Sequence, residues 1–222
     1  MSRPTFGTLL TILLLLAGIT AYSRGNEPAF PAPTVDDSLA AGKGQDTAVI
    51  AGGCFWGIQA VFQHVKGVVS ATSGYSGGDA STAHYYTVGS GRTGHAESVK
   101  IVYDPSQITY GQLLRVFFSV AHDPTELNRQ GPDDGTQYRS VIFYSGEKQK
   151  RIAEAYIAQL DQAKVFRHKI VTQVVPLKAF YDAEAYHQNF AALHPDDGYI
   201  VVNDAPKVDH LRQQFPDLYT SK

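Results

Sequence analysis

This chain of 222 residues contains a single cysteine, Cys54. One thiol cannot form a disulfide within its own chain, so the fold must be stabilised by the burial of apolar residues alone. The length is sufficient for a sizeable core. Hydrophobic residues make up 43% and charged residues 18% of the chain, which is typical of a globular protein. The formal net charge of -2 gives no indication of a nucleic-acid-binding surface.

Residues 1–23 have the pattern of a secretory signal peptide. A positive charge at Arg3 precedes an apolar run from Leu9 to Ala21, and small residues near Ser23 offer a cleavage site. The run is shorter than the roughly 20 residues that span a bilayer comfortably. We therefore expect cleavage and export, with the periplasm as the compartment. Retention of the leader as an uncleaved membrane anchor is the alternative.

The rest of the chain divides into a linker and one domain. Residues 24–45 are rich in Pro, Ala, Gly and Asp without an apolar period, which predicts a flexible linker. Residues 46–222 show neither an internal repeat nor a second linker, so we predict a single domain there. Its helix and strand patterns interleave without regular βα alternation, which favours an α+β fold. The clearest helix is predicted over 147–162, and residues 199–202 are predicted to be extended.

The segment Ala51-Gly-Gly-Cys-Phe-Trp-Gly57 joins a predicted strand to a predicted helix. Cys54 therefore falls at the helix N-terminus, where free N–H groups and the helix dipole favour an anion. We expect a depressed pKa for its thiol, and a thiolate at this position is a nucleophile. The neighbouring aromatic residues, Phe55 and Trp56, belong either to the core or to the wall of an apolar pocket beside the sulfur.

Three other segments carry residues that could act with Cys54. They surround Glu97, the pair Asp133 and Tyr138, and His187, and each one alone is typical of an ordinary turn or helix start. No close His or Cys spacing surrounds the thiol, so a metal site is not expected. We also expect no bound cofactor.

The residues considered so far are compatible with two classes of function. One is a Cys-His hydrolase or acyltransferase, in which the base would be one of three histidines, His95, His122 or His187. The other is a non-catalytic module in which Cys54 is a buried, inert residue.

Seven segments, taken in order, resemble the A-type peptide methionine sulfoxide reductases. They are Gly53-Cys-Phe-Trp-Gly57, Gly74-Tyr-Ser-Gly-Gly78, Gly94-His-Ala-Glu97, Tyr103-Asp-Pro105, His122-Asp-Pro124, Gly135-Thr-Gln-Tyr-Arg-Ser140 and Tyr186-His-Gln188. The resemblance implies a ferredoxin-like α/β sandwich around a central mixed sheet. It also implies reduction of the S epimer of methionine sulfoxide, free or in oxidised proteins, to methionine.

The resemblance further implies the roles of individual residues. Cys54 is the nucleophile, Glu97 the acid, and Tyr138 a hydrogen-bond donor to the sulfoxide oxygen. A second donor falls at Tyr85, with Tyr86 next to it. Three residues are implied to bind substrate: Phe55 and Trp56 as a wall for its methyl group, and Asp133 as a contact to its backbone or to neighbouring side chains.

The chemistry of the reaction supports these roles. A sulfoxide oxygen leaves poorly until it is protonated or strongly hydrogen-bonded, so the site needs an acid and donors. Glu97, if desolvated among aromatic residues, would have a raised pKa and stay protonated near neutral pH. The products are methionine and a sulfenic acid on Cys54.

Many members of this family carry additional cysteines that convert the sulfenic acid to a disulfide, and this chain has none. The sulfenic acid is therefore expected to be resolved by an external thiol, from a thioredoxin-like protein or a small molecule. The expected state is a monomer that binds no nucleic acid.

Overall fold

The structure is a computed structural model that describes Met1 and residues 30–221. The predicted signal peptide, apart from Met1, lies outside the described residues. Within the described part of the chain, every helix is too short or too polar to cross a bilayer.

A six-stranded mixed sheet forms the centre of the domain. Its strands are β1 (Asp46–Ala51), β2 (Val68–Ser76), β3 (Ala96–Tyr103), β6 (Val141–Tyr144), β7 (Gln173–Pro176) and β8 (Tyr181–Asp182). Two short strands, β4 (Arg129–Gln130) and β5 (Asp133–Asp134), pair separately. The order across the large sheet is β7-β6-β1-β3-β2-β8. All neighbours are antiparallel except β6 and β7, which are parallel.

Within residues 30–221, six α-helices connect or flank the strands. They are α1 (Phe55–Gln63), α2 (Tyr85–Val88), α3 (Tyr110–Val116), α4 (Glu147–Gln162), α5 (Phe190–Leu193) and α6 (Ala205–Gln214). Short 3-10 turns lie at Ala80–Thr82, Thr136–Tyr138 and Ala185–His187, and π-helical turns at Phe117–Ala121 and Ile200–Asp204. The helix predicted over 147–162 is confirmed as α4.

The chain order β1-α1-β2-β3-α3-β6 places four strands in the spatial order β6-β1-β3-β2. This is the β-α-β-β-α-β arrangement of ferredoxin-like folds, with β7 and β8 added at the two edges. The predicted α+β class and the ferredoxin-like sandwich around a mixed sheet are confirmed.

Alternation along β1 divides the core between the two faces of the sheet. Ala48 and Ile50 belong to the large cluster that includes the buried faces of α1, α3 and α4. Val49 and Ala51 point to the opposite face and pack in a smaller cluster with Val141 and Phe143. A period of two thus lets one short strand supply both layers.

The prediction that residues 199–202 are extended is wrong. Ile200–Asp204 is a π-helical turn that runs directly into α6, and the Val201 N–H donates to the Asp197 carbonyl at 2.9 Å. The β-branched residues of this run favour a strand by propensity, but Val201 and Val202 are exposed and pair with no strand edge.

The described part of the predicted linker, residues 30–45, lies along the domain. Asp36 accepts hydrogen bonds from the Thr109 hydroxyl at 2.5 Å and the Gly111 N–H at 2.8 Å, at the start of α3. The Tyr156 hydroxyl of α4 donates to the Pro31 carbonyl at 2.6 Å. The segment is therefore attached to α3 and α4, while the boundary at residue 46 stays a prediction.

Candidate active site

Two glycines set Cys54 at the start of α1. Gly53 has a φ of +102°, a backbone conformation that favours glycine, and a Cβ there would come within 2.5 Å of the Gln130 side chain. A Cβ on Gly52 would lie 2.8 Å from the ring of His122. The chain therefore turns tightly out of β1, and Cys54 occupies the N-cap position of α1, as the sequence predicts.

Cys54 opens onto a cavity of about 170 Å³. The residues that line it are Cys54, Phe55, Trp56, Tyr85, Glu97, Asp133, Tyr138 and Tyr199. The structure thus brings together every site residue predicted from the sequence. A larger depression of about 600 Å³ lies beside the end of α4, but its lining contains no thiol and no glutamate.

Glu97 lies on β3 at the floor of this site and is 3% exposed. Burial raises the pKa of its carboxyl to about 8, and the nearby carboxylates of Asp133 and Asp204 act in the same direction. The Phe55 N–H, in the first turn of α1, donates to Oε2 at 3.1 Å and lowers the pKa in part. Glu97 is therefore protonated at neutral pH and can act as an acid.

The expected depression of the Cys54 pKa is wrong. Burial raises the pKa of this thiol well above its ordinary value, and the carboxylates of Glu97 and Asp204 raise it further. The Trp56 N–H of the helix start and the Lys207 ammonium both lower it, but their effects are smaller. The helix terminus acts as anticipated, yet desolvation outweighs it. Without substrate, Cys54 is a neutral thiol.

A buried ion pair that the sequence analysis missed lies beside the first turn of α1. Lys207 Nζ is 3.0 Å from Asp204 Oδ1, and Asp204 is fully buried. A Cβ on Gly57 would overlap the Asp204 carboxylate, so glycine at this position lets the pair approach the helix backbone. An acidic residue three positions before a lysine at a helix start is common, and this spacing carried no sign of a role near Cys54.

The aromatic wall of the cavity is a stack of rings. Trp56 stacks on Phe190 with ring centroids 3.8 Å apart and an interplanar angle of 9°. Tyr199 meets the same indole edge-on at 6.0 Å. The Tyr199 hydroxyl also donates to Asp133 Oδ2, which fixes that carboxylate at the cavity. Sequence analysis missed Tyr199 because it begins the run that was predicted to be extended.

Tyr85, rather than Tyr86, belongs to the cavity. The side chain of Tyr86 is 89% exposed and lines no part of it. The Tyr85 N–H donates to Glu184 Oε1 at 3.0 Å, which places this residue at the start of α2. Burial raises the pKa of Tyr85 to about 12 and also raises the pKa of Tyr138. Both hydroxyls thus stay protonated and available as donors.

Three histidines were candidates for a base, and none of them lines the cavity. His95 accepts from the Gly78 N–H at 3.3 Å and donates to the Asp79 carbonyl at 3.0 Å. The remaining two, His122 and His187, are also hydrogen-bonded away from Cys54, and burial lowers the pKa of His122 to about 4. The geometry therefore gives no support to a Cys-His hydrolase.

Several of the matching segments serve to hold the site together. Arg139 donates to the carbonyls of His95 at 3.1 Å and Gly94 at 2.9 Å, which ties the turn before Glu97 to the segment that carries Tyr138.

Among the described residues, the His, Cys, Asp and Glu side chains form no group of three that could hold a metal ion.

Known proteins match this chain along most of its length. The family model for peptide methionine sulfoxide reductase matches residues 46–219. The curated peptide methionine sulfoxide reductase MsrA 2 of Mesorhizobium japonicum is 62% identical over 182 residues, which is 82% of this chain and 93% of the relative. A second relative, MsrA 2 of Synechocystis, is 50% identical over 189 residues, with 84% of this chain and 88% of the relative covered.

Two solved structures resemble the domain. Methionine sulfoxide reductase A of Corynebacterium diphtheriae has a TM-score of 0.60 and 38% identity, covering 68% of this chain and 76% of its own. Mxr1 from Saccharomyces cerevisiae in reduced form has a TM-score of 0.61 and 32% identity, covering 72% and 94%. These matches show that the chain belongs to the A-type peptide methionine sulfoxide reductases, enzymes that reduce methionine sulfoxide to methionine and so repair oxidised protein.

Proposed function

We propose that this enzyme reduces the S epimer of methionine sulfoxide, free or in oxidised proteins, by attack of Cys54 Sγ on the sulfoxide sulfur. The observation that carries this proposal is the shared cavity of about 170 Å³. It holds one thiol, one carboxyl with a pKa of about 8, and three phenol groups that remain protonated, of which Tyr199 donates to Asp133 while Tyr85 and Tyr138 are available to the substrate.

Substrate binding follows from the two sides of the cavity. The rings of Phe55 and Trp56 form the apolar side and would contact the methyl group on sulfur. Glu97, Tyr85 and Tyr138 form the polar side and would contact the sulfoxide oxygen. When the methyl group and the oxygen on the chiral sulfur are both held, the rest of the substrate points in a different direction in each epimer. Only one epimer can then fit the site, which is the basis for the selection.

The proposed reaction balances within the site. A bond forms between Sγ of Cys54 and the substrate sulfur while Glu97 gives its proton to the sulfoxide oxygen. The proton of the thiol passes to Glu97 in return, so the carboxyl ends as it began. The oxygen then moves from the substrate sulfur to Sγ as the bond between the two sulfurs breaks, and the electron pair of that bond goes to the methionine sulfur. Methionine is released, and Cys54 is left as a sulfenic acid.

The two tyrosine hydroxyls stabilise the negative charge that develops on the oxygen, as oxyanion-hole donors do. Both side chains line the cavity and are half-buried, and hydrogen bonds in such surroundings are stronger than in bulk water.

Resolution of the sulfenic acid requires a thiol from outside the chain. Cys54 is the only cysteine, so no intramolecular disulfide can form. One external thiol would condense with the sulfenic acid and release water, and a second would displace the resulting mixed disulfide. A thioredoxin-like protein or a small thiol could supply both, with the enzyme acting as a monomer. The test is to titrate the oxidised enzyme with each reductant and to measure the mass of the protein by mass spectrometry. The mass added to the enzyme would identify the mixed disulfide.

Export to the periplasm is the proposed location, supported by the signal pattern of residues 1–23. The check is the N-terminal sequence and cell fraction of the mature protein. Recovery of the full-length chain in the membrane pellet would favour the uncleaved anchor instead.

A single-turnover assay tests the reaction. Fully reduced enzyme is mixed, without added thiol, with each epimer of a blocked methionine sulfoxide, and methionine and free thiol are counted. The expected result is one methionine per enzyme from the S epimer only, with loss of one thiol and capture of Cys54 by a sulfenic-acid reagent. No methionine from either epimer, together with hydrolysis of an activated ester, would favour the hydrolase.

The two adjacent tyrosines form a matched pair for a further test. Tyr85→Phe removes a donor from the cavity, so we expect the single-turnover rate to fall roughly 10- to 100-fold, the effect of one hydrogen bond to a charged group. Tyr86→Phe makes the same chemical change on an exposed side chain and should leave the rate unaltered. An equal effect of both changes would contradict the assignment of Tyr85 as the donor.

A further inference from the structure

His187 lies behind the cavity wall, between two residues of the site. The Trp56 indole N–H donates to His187 Nδ1 at 3.2 Å. The imidazole ring packs against Tyr85 with centroids 4.3 Å apart and against Phe55 at 5.0 Å. His187 is 2% exposed and does not line the cavity, so any effect on substrate must act through these neighbours.

The hydrogen bond fixes the chemical state of the imidazole. Because the indole nitrogen can only donate, Nδ1 of His187 must be the acceptor, and the ring must be neutral with its proton on Nε2. Burial lowers the pKa of His187, and the nearby Glu184 carboxylate opposes this shift only in part. The environment thus keeps the imidazole in the form that can accept from Trp56.

The position of the acceptor is fixed by the next residue. Gln188 accepts from the Ser73 N–H at 3.0 Å and from Gln59 Nε2 at 3.0 Å, and it donates to the Ser73 carbonyl at 2.9 Å. These bonds attach the turn Ala185–His187 to both β2 and α1. Nδ1 of His187 is therefore held at a set place relative to the helix that carries Trp56.

This hydrogen bond supplies what the ring stack cannot. Stacking of Trp56 on Phe190 defines the plane of the indole but resists rotation or sliding within that plane only weakly. A directional N–H bond at one corner of the ring fixes its orientation within the plane. The edge of the indole that faces the pocket is then held in one position. This fixes the depth of the pocket beside Cys54.

We propose that His187 is a positioning residue that accepts the indole N–H of Trp56 and thereby sets the depth of the pocket, so that it takes a methyl group on sulfur in preference to a longer alkyl group. This inference rests on the proposed role of Trp56 as the methyl-binding wall. A displaced indole would admit an ethyl group, and the preference for methionine sulfoxide over ethionine sulfoxide would decrease.

Two substitutions distinguish the effect of the hydrogen-bond acceptor of His187 from the effect of packing by its ring. His187→Phe keeps an aromatic ring in contact with Tyr85 and Phe55 but removes the acceptor. His187→Asn places an amide oxygen near the position of Nδ1 but removes the ring. The exposed His210 on α6, replaced by Phe, is the control for the same change far from the wall.

The experiment uses the whole reduced enzyme and has two readouts. Trp56 is the only tryptophan in the chain, so emission excited at a wavelength that tyrosine does not absorb reports on this side chain alone. The second readout is kcat and KM for the S epimers of methionine sulfoxide and ethionine sulfoxide. Thermal unfolding of each variant confirms that the fold is retained.

We expect His187→Phe to change the emission and to reduce the methyl-over-ethyl preference in kcat/KM about 10-fold, the usual worth of one methylene in a pocket. His187→Asn should recover most of both. Wild-type emission and preference in His187→Phe would overturn the proposal. So would an equal loss in both variants, because packing of the ring would then be the cause.

Failure of this inference is distinct from failure of the proposed function. If the wild-type enzyme forms no methionine, the proposed function fails, while the emission of the two variants still tests the bond between His187 and Trp56. An altered emission with an unchanged preference would overturn the role of His187 in substrate selection.

Discussion

The Cys54→Ser enzyme is expected to form no detectable methionine from the S sulfoxide, even at one equivalent of substrate. A serine hydroxyl is a weak nucleophile without an activating base, and no histidine lines the cavity to supply one. No second thiol exists in the chain to replace Cys54. In addition, the serine oxygen cannot take up the sulfoxide oxygen, because the product would not be a stable equivalent of a sulfenic acid.

Loss of chemistry in Cys54→Ser should occur without loss of binding. The wall formed by Phe55 and Trp56 and the donors opposite it are unchanged, so addition of sulfoxide should still alter the emission of Trp56. Binding without turnover would assign the loss to the nucleophile. Methionine formation by this variant at the wild-type rate would disprove attack by Sγ.

The second large effect is expected for Glu97→Gln, whose single-turnover rate should fall about 10²- to 10⁴-fold, the usual contribution of a positioned acid. The amide can still donate a hydrogen bond but cannot transfer a proton to the sulfoxide oxygen. Because the wild-type carboxyl has a pKa of about 8, the wild-type rate should decrease above that pH. The variant should lack this decrease.

The same substitution should increase stability at alkaline pH. Below about pH 4.5 the carboxyl is protonated in both the folded and unfolded states, since 4.5 is its ordinary pKa and the folded value is about 8. Between these values only the unfolded chain releases the proton, so folding stability decreases as pH rises, by up to about 1.4 kcal/mol per pH unit. A neutral glutamine avoids this loss, and the gain should amount to a few kcal/mol at most.

Urea unfolding at pH 4 and pH 8.5 measures this difference. Glu97→Gln should exceed the wild type in unfolding free energy at pH 8.5 and match it at pH 4. Glu154→Gln, on the exposed face of α4, is the control and should change neither rate nor stability. A Glu97→Gln enzyme that is slower but no more stable at pH 8.5 would show that the buried carboxyl is not held in its acid form.

The sequence predicts well those parts of the protein in which the local residue pattern and the tertiary packing favour the same structure. Helix α4 has apolar residues on one face over four turns, and tertiary packing uses that same face. The turn before Cys54 needs glycine at Gly53 because of its positive φ, so the break between strand and helix is recorded in the residues themselves.

The site residues were predicted through the resemblance rather than through periodicity. Glu97, Asp133 and Tyr138 come from a strand, a short strand and a 3-10 turn that no local pattern would bring together. Their meeting in one cavity depends on the strand order of the sheet, which the resemblance implied and the hydrophobic pattern did not.

The features that sequence analysis missed depend on distant contacts. The pKa of Cys54 is raised by burial and by the charges of residues distant in the sequence, including Asp204, so the local rule for helix starts gave the wrong direction. Tyr199 belongs to a β-branched run that has no strand to pair with and therefore became a helical turn. The contacts of residues 30–45 were missed because Asp36 accepts a hydrogen bond from Thr109, the N-cap of α3, which lies 73 residues away in the sequence.

The neutral state of the resting thiol has a consequence for how long the enzyme survives exposure to oxidants. Peroxide reacts with thiolates much faster than with thiols, and a thiolate carried past the sulfenic stage to sulfinic acid is lost irreversibly. This chain has one sulfur nucleophile and no spare. Because burial keeps Cys54 protonated, we expect the sulfur to react slowly with stray oxidants and to become reactive when a sulfoxide and the proposed acid, Glu97, are both in place.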